Sequence, residues 1–167
     1  MYDKNGGWEK YSVRVGVDRN LGAELKIAPD ESDSGIAVVE HMLPPKKLAA
    51  PLHRHSREDE ISYILNGVMG VQEGERVTTV EAGEVAVKGR DVWHTFWNPG
   101  TEPLRFLEII SPGEFAGYFK ESAEILSDNK ISEDETRSRF EELHNKYEFE
   151  LDPESVPELI ERHGLER

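Results

Sequence analysis

The chain has 167 residues, with Lys+Arg 20 against Asp+Glu 34 and a formal net charge of -14. That length suits one domain with a sizeable core, and the charge argues against nucleic acid or an anionic membrane surface as partner. The absence of cysteine excludes disulfides, thiolate ligands and a cysteine nucleophile. Met1–Gly7 has no apolar leader-like run, no later stretch has the length to span a bilayer, and the expectation is a soluble cytoplasmic protein.

From Tyr11 to Ile110 apolar residues alternate, and Gly, Pro and Asn fall between short runs. Val13, Val15 and Val17 share one face of a first strand. A second run, Gly35 to Leu43, ends at Pro44-Pro45, which cannot continue a ladder. Glu60–Leu65 stops at Asn66-Gly67, a tight-turn signal, and Glu73-Gly74 joins two further strands. Val85–Val87, Val92–Trp97 and Leu104–Ile110 complete the series. Turns at this spacing predict an all-β barrel over residues 11–112.

The pattern becomes helical after Ser111-Pro112-Gly113. Phe115, Tyr118, Phe119 and Ser122 lie at helical spacing. Ser132 with Glu135 forms a capping box ahead of Phe140, Leu143 and Tyr147, and Ser155 with Glu158 forms another, ended by Gly164. The expected organisation is residues 1–112 as N-terminal strands and barrel, with 113–167 as a helical appendage of the same domain packed on its outside.

The chemistry concentrates between Pro51 and Asn98. His53 and His55 are two apart, so on a strand both imidazoles leave one face. Glu60 follows close enough to return to that face, and His94 completes a set of three imidazoles and one carboxylate. Without a thiolate, this set suits one divalent transition metal, Fe, Mn, Ni, Co, Cu or Zn, better than calcium or magnesium. The same parity turns Phe96, Asn98, Ser62, Ile64 and Asn66 inward and Trp93 and Trp97 outward. Phe96 and Ile64 are the candidate substrate-binding residues, and Glu60, as ligand or general base, is the candidate catalytic residue. Of Arg105 and Glu108 only one should face inward. His41, His144 and His163 read as surface histidines, and Arg54, Arg57, Glu58 and Asp59 as a solvated charge cluster.

The spacing His53-x-His55-x4-Glu60-x6-Gly67, with Gly83-x10-His94 and Asn98 beyond, resembles the two signatures of the cupin superfamily. Lys47 and the run Gly89-Arg90-Asp91 depart from its turn-forming positions, and all four metal-ligating positions are present. The resemblance implies a jelly-roll barrel holding metal through His53, His55, Glu60 and His94. Pro51-Leu52-His53-Arg54-His55, Tyr63-Ile64-Leu65-Asn66-Gly67 and Ile110-Ser111-Pro112-Gly113-Glu114-Phe115 look like the small single-domain cupins grouped with quercetin 2,3-dioxygenase. That likeness implies a metal-dependent oxidoreductase of dioxygenase type acting on a small oxygen-rich molecule. It also implies a homodimer. An isomerase, epimerase or decarboxylase with the same ligands, and a non-catalytic metal- or ligand-binding module, are the alternatives.

Overall fold

A computed structural model describes residues 6–167. Its strands, in chain order, are β1 (Ser12–Val15), β2 (Leu21–Ile27), β3 (Ala37–Leu43), β4 (Leu52–His55), β5 (Asp59–Asn66), β6 (Val68–Glu73), β7 (Arg76–Glu81), β8 (Val85–Lys88), β9 (His94–Trp97) and β10 (Leu104–Ser111). Helices α1 (Ala116–Ser127) and α2 (Glu133–Tyr147), strand β11 (Phe149–Asp152) and helix α3 (Ser155–His163) follow. The strands form a six-stranded sheet, β1-β2-β3-β10-β5-β8, and a five-stranded sheet, β11-β4-β9-β6-β7. All their pairings are antiparallel. The chain is mostly β, with the expected barrel and a few short C-terminal helices.

The turn chemistry explains the strand ends. Pro44 and Pro45 follow the last residue of β3, and Gly74, at φ 58, takes the left-handed corner between β6 and β7. Gly70 has a different reason: a Cβ there would lie 2.2 Å from the Trp97 indole, so only glycine lets that ring cross β6.

Three expectations need correction. Val17 does not extend β1; it opens a one-turn 3-10 helix, Val17–Arg19, and a second such turn spans Pro29–Glu31, so helical turns also fall between the first strands of the barrel. Ser132 caps α2 by accepting from the Glu135 amide at 3.2 Å, but Ser155 caps nothing. Its hydroxyl donates to the Asp152 carbonyl and accepts from the Leu52 amide, tying α3 to β4. Finally, residues 113–167 do not lie wholly outside the barrel. Phe115, Ala116, Phe119, Leu143, Tyr147 and Phe149 join the same buried apolar cluster as the barrel residues, and β11 extends a sheet.

Trp97 points away from the barrel interior as its parity requires. It is buried under α3 with Leu48, Leu159 and Leu165, and the His163 ring stacks on it at 3.8 Å. His163 is therefore packed, not solvated. No helix among the described residues is long and apolar enough to cross a membrane.

Candidate metal centre

His53 and His55 alternate inward on β4 with Leu52 and Arg54 between and beside them. Register then assembles the rest: His53 stands opposite His94 across β4–β9, and β5 turns Glu60 inward. All four side chains are buried, and one ligand atom from each lies within 4.8 Å of the others. His53 and His94 are 4.3 Å apart between ring centroids, and His55 is 5.4 Å from His94.

Hydrogen bonds decide which nitrogens face the centre. The Nδ1 atoms of His53 and His94 lie 2.7 Å from the Pro51 carbonyl and 2.9 Å from the Val92 carbonyl. A carbonyl only accepts, so each Nδ1 carries the proton and each Nε2 keeps a free lone pair. The Nε2 of His94 and both nitrogens of His55 are buried with no hydrogen-bond partner. Unpartnered buried polar atoms cost about 1–3 kcal/mol each, and a metal would satisfy the inward ones. Burial, helped by the neighbouring rings, holds His53 far below the usual histidine range, and burial brings His55 down to about 4. His53 and His55 are thus neutral bases ready to ligate. This buried cluster is suited to one metal ion.

A second layer of charge lies behind Glu60. Lys88 is completely buried, with Nζ 3.1 Å from Glu60 Oε2, and it also pairs with Glu108. Glu108 accepts from the Ser62 hydroxyl at 3.2 Å, and His41 Nε2 stands 3.2 Å from its other oxygen. The network follows from register: Glu60 faces Lys88 across β5–β8, and Ser62 faces Glu108 across β5–β10. Burial works to raise the Glu60 carboxyl, but the Lys88 charge and the imidazoles outweigh it and hold the group well below its usual range. Burial works to lower Lys88, and its two carboxylate partners reverse that.

The cluster opens onto a cavity of about 70 Å³ walled by His53, His55, Glu60 and Glu108 and by the rings of Phe96, Phe115, Tyr118, Phe119 and Phe149. Phe96 is in that wall. Ile64 is fully buried yet not in it, because its place on β5 is further along the core. Asn98 is buried and spends its amide on the Leu43 and Glu102 carbonyls, whereas Asn66 is exposed and caps the turn at Pro103.

Other residues stand differently from their expected places. His41 is buried, with Nδ1 on the Gly22 carbonyl, and His144 is half-buried with Nε2 3.3 Å from the Tyr118 hydroxyl. Glu58 is buried, 3.7 Å from His55 Nδ1, and burial followed by the Glu60 charge pushes its carboxyl up to about 7. Glu108 is inside and Arg105 is exposed. Lys88 carried no signal recognised in the sequence, although it shares inward parity with Ala86 on a strand of alternating character.

Two antiparallel sheets enclosing inward imidazoles and a carboxylate define a double-stranded β-helix. Residues 39–110, from β3 to β10, match the family model of the cupin domain. A conserved protein with a double-stranded β-helix domain from Klebsiella pneumoniae is similar in structure, at 21% identity and a TM-score of 0.51, over 61% of this chain and 84% of that one. A predicted oxalate decarboxylase from Thermotoga maritima is similar at 25% identity and a TM-score of 0.52, over 61% of this chain and 92% of that one. No curated protein sequence matches the chain. The barrel has the double-stranded β-helix fold of those structures, and the four candidate ligands lie within the matched stretch.

Proposed function

We propose that the protein is a metal-dependent cupin enzyme of the quercetin 2,3-dioxygenase-like group, an oxidoreductase of dioxygenase type acting on a small oxygen-rich molecule. The observation that carries this reading is the buried set His53, His55, Glu60 and His94, with ligand atoms within 4.8 Å of one another and three of the four, His53, His55 and Glu60, walling a cavity. These residues would hold one divalent transition metal. Four protein ligands leave room for substrate or oxygen, and the metal when bound supplies Lewis acidity toward a substrate hydroxyl or enol.

The chain's own groups do the rest. Carbonyls of Pro51 and Val92 fix two imidazoles in one tautomer. Glu60 is the catalytic carboxylate, and the Lys88 pair keeps it ionised. That pairing favours Glu60 as a fixed ligand, while its ionised form also serves to collect a substrate proton. Phe96 presents a ring to the substrate, and Ile64 supports the same region of the core from behind. The aromatic wall excludes water from the reacting groups. A cytoplasmic homodimer completes the proposal, supported by the exposed apolar residues Val85 and Val87 on the outer face of β8. Met1–Asn5 of the N-terminal arm that such a dimer would exchange lie outside the described residues.

Elemental analysis should find about one transition metal per chain, and His94→Ala should lose most of it. The loaded protein should consume oxygen with an enediol or a catechol. Equal loading of the variant and its parent would overturn the ligand assignment. A decarboxylase or isomerase reading, favoured by the likeness to the predicted oxalate decarboxylase, requires turnover of substrate without oxygen uptake.

A further inference from the structure

The inner cavity is small for a whole substrate. One water needs about 10–15 Å³ on this measure, so about 70 Å³ admits only a small head group. Sites that enclose small organic ligands run to roughly 300–1,000 Å³. Beside it lies a hollow of about 480 Å³ that has five wall residues in common with it: Gly16, Pro51, Tyr118, Ser122 and Leu151. Tyr118 and Ser122 on α1 thus stand at a neck between the two. The outer hollow is floored by Val17, Leu126, Phe140 and Pro153, and its charged groups, Arg137 and Glu141, belong to α2. Arg137 already has Asp134 as a partner 3.5 Å away.

We infer that the outer hollow is a subsite for the apolar body of the substrate, whose oxygen-bearing head occupies the inner cavity. Resting on the metal-centre reading above, this assigns the substrate class: a molecule with a chelating head and an alkyl or aryl body, not a compact dianion. Charge agrees with size. Lys88 is the one cation paired within the inner site among the described residues, and Glu60 and Glu108 already engage it. A small dianion would meet those carboxylates and gain nothing from the apolar hollow. Except for Pro51, the residues lining the outer hollow come from outside the stretch 39–110 that matches the cupin domain. The segments flanking that stretch, chiefly α1 and α2, therefore supply the selectivity.

The test uses the full chain loaded with Co(II) and a series of hydroxamates, from acetohydroxamate to decanohydroxamate, followed through the cobalt absorption spectrum. Acetohydroxamate should perturb the spectrum, and each methylene added should tighten binding about fourfold until the hollow is filled, the equivalent of roughly 0.8 kcal/mol per buried CH₂. Oxalate should bind more weakly than octanohydroxamate. Leu126→Asp, at a half-buried position outside the main core cluster, should flatten the chain-length series and leave acetohydroxamate affinity unchanged. The parent series is decisive without the variant. If acetohydroxamate binds and longer chains bind no tighter, the subsite is overturned while the metal centre stands. If acetohydroxamate leaves the spectrum unchanged, the metal-centre reading fails and the subsite with it.

Discussion

On the inner face of β8, Lys88 sits without solvent contact between Glu60 and Glu108, while on the outer face of the same strand Val85 and Val87 are 55% and 54% exposed. Desolvating an ammonium costs several kcal/mol, and only close, opposite charge returns it. The outer valines contribute β-branched strand propensity and leave their side chains largely in water. Within four residues the usual sorting of polar and apolar groups is inverted. What sets the face of each side chain is the register of β8 against β5, which places Lys88 opposite Glu60. In this barrel the interior is partly a place for paired charge, and polarity alone does not tell inside from outside.

Removing the inner charge should produce the largest effect. Lys88→Met leaves Glu60 and Glu108 buried without their shared cation, and breaking a buried pair costs about 3–5 kcal/mol. Denaturant unfolding of the metal-free protein should show that loss, and adding Glu108→Gln should recover part of it. A loss under about 0.5 kcal/mol would mean that the inner face is wetter than its burial implies.

An ion pair on the outside sharpens the contrast. Glu148 accepts from Arg57 and from the Ser56 hydroxyl, and that pairing, Arg57 first, brings its carboxyl from 4.5 down to about 2. Because the folded value is the lower one, this stabilisation is complete above about pH 4.5 and disappears as the pH falls toward 2. Glu148→Gln should therefore lower the melting temperature slightly at pH 7, and less at pH 3. High salt should shrink the difference, since the pair is exposed. A gap that widens on acidification would reverse the assigned sign.

The smallest change belongs to the outer valines. Val85→Thr combined with Val87→Thr should alter stability by no more than about 0.5 kcal/mol, as at ordinary surface positions. A larger loss in thermal melts would show that this face is covered in solution, as the proposed homodimer requires.

The same contrast explains what the amino-acid order makes readable. His53, His55, Glu60 and His94 could be found because their spacing and strand parity are local facts, and Pro44-Pro45, Asn66-Gly67 and Glu73-Gly74 mark strand ends by backbone geometry. For Glu108, alternation left only a choice between it and Arg105. Lys88 and His41 could not be found, because each is buried by partners on other strands, and an isolated charged residue reads as solvent-facing. Glu58 was misread for the same reason. The four residues of β11 sit between two helices, and the αL backbone of Glu148 that ends α2 leaves little trace in the sequence. Phe115 and the aromatic residues of α1 showed helical spacing, but nothing in that spacing told that Phe115, Tyr118 and Phe119 would wall the metal cavity.

Strand β11 also sets a timetable. It covers the edge of β4, with His53 facing Leu151 and His55 facing Phe149. A ribosome adds roughly 5–20 residues each second from the N-terminus. After the two histidines emerge, the strand that carries them therefore waits on the order of ten seconds for its neighbour. Throughout that interval one edge of β4 presents unpaired amides and carbonyls, the kind of template that invites pairing with another chain. The site is thus among the last parts of the barrel to be sealed, and the nascent protein is most vulnerable where its chemistry will later reside.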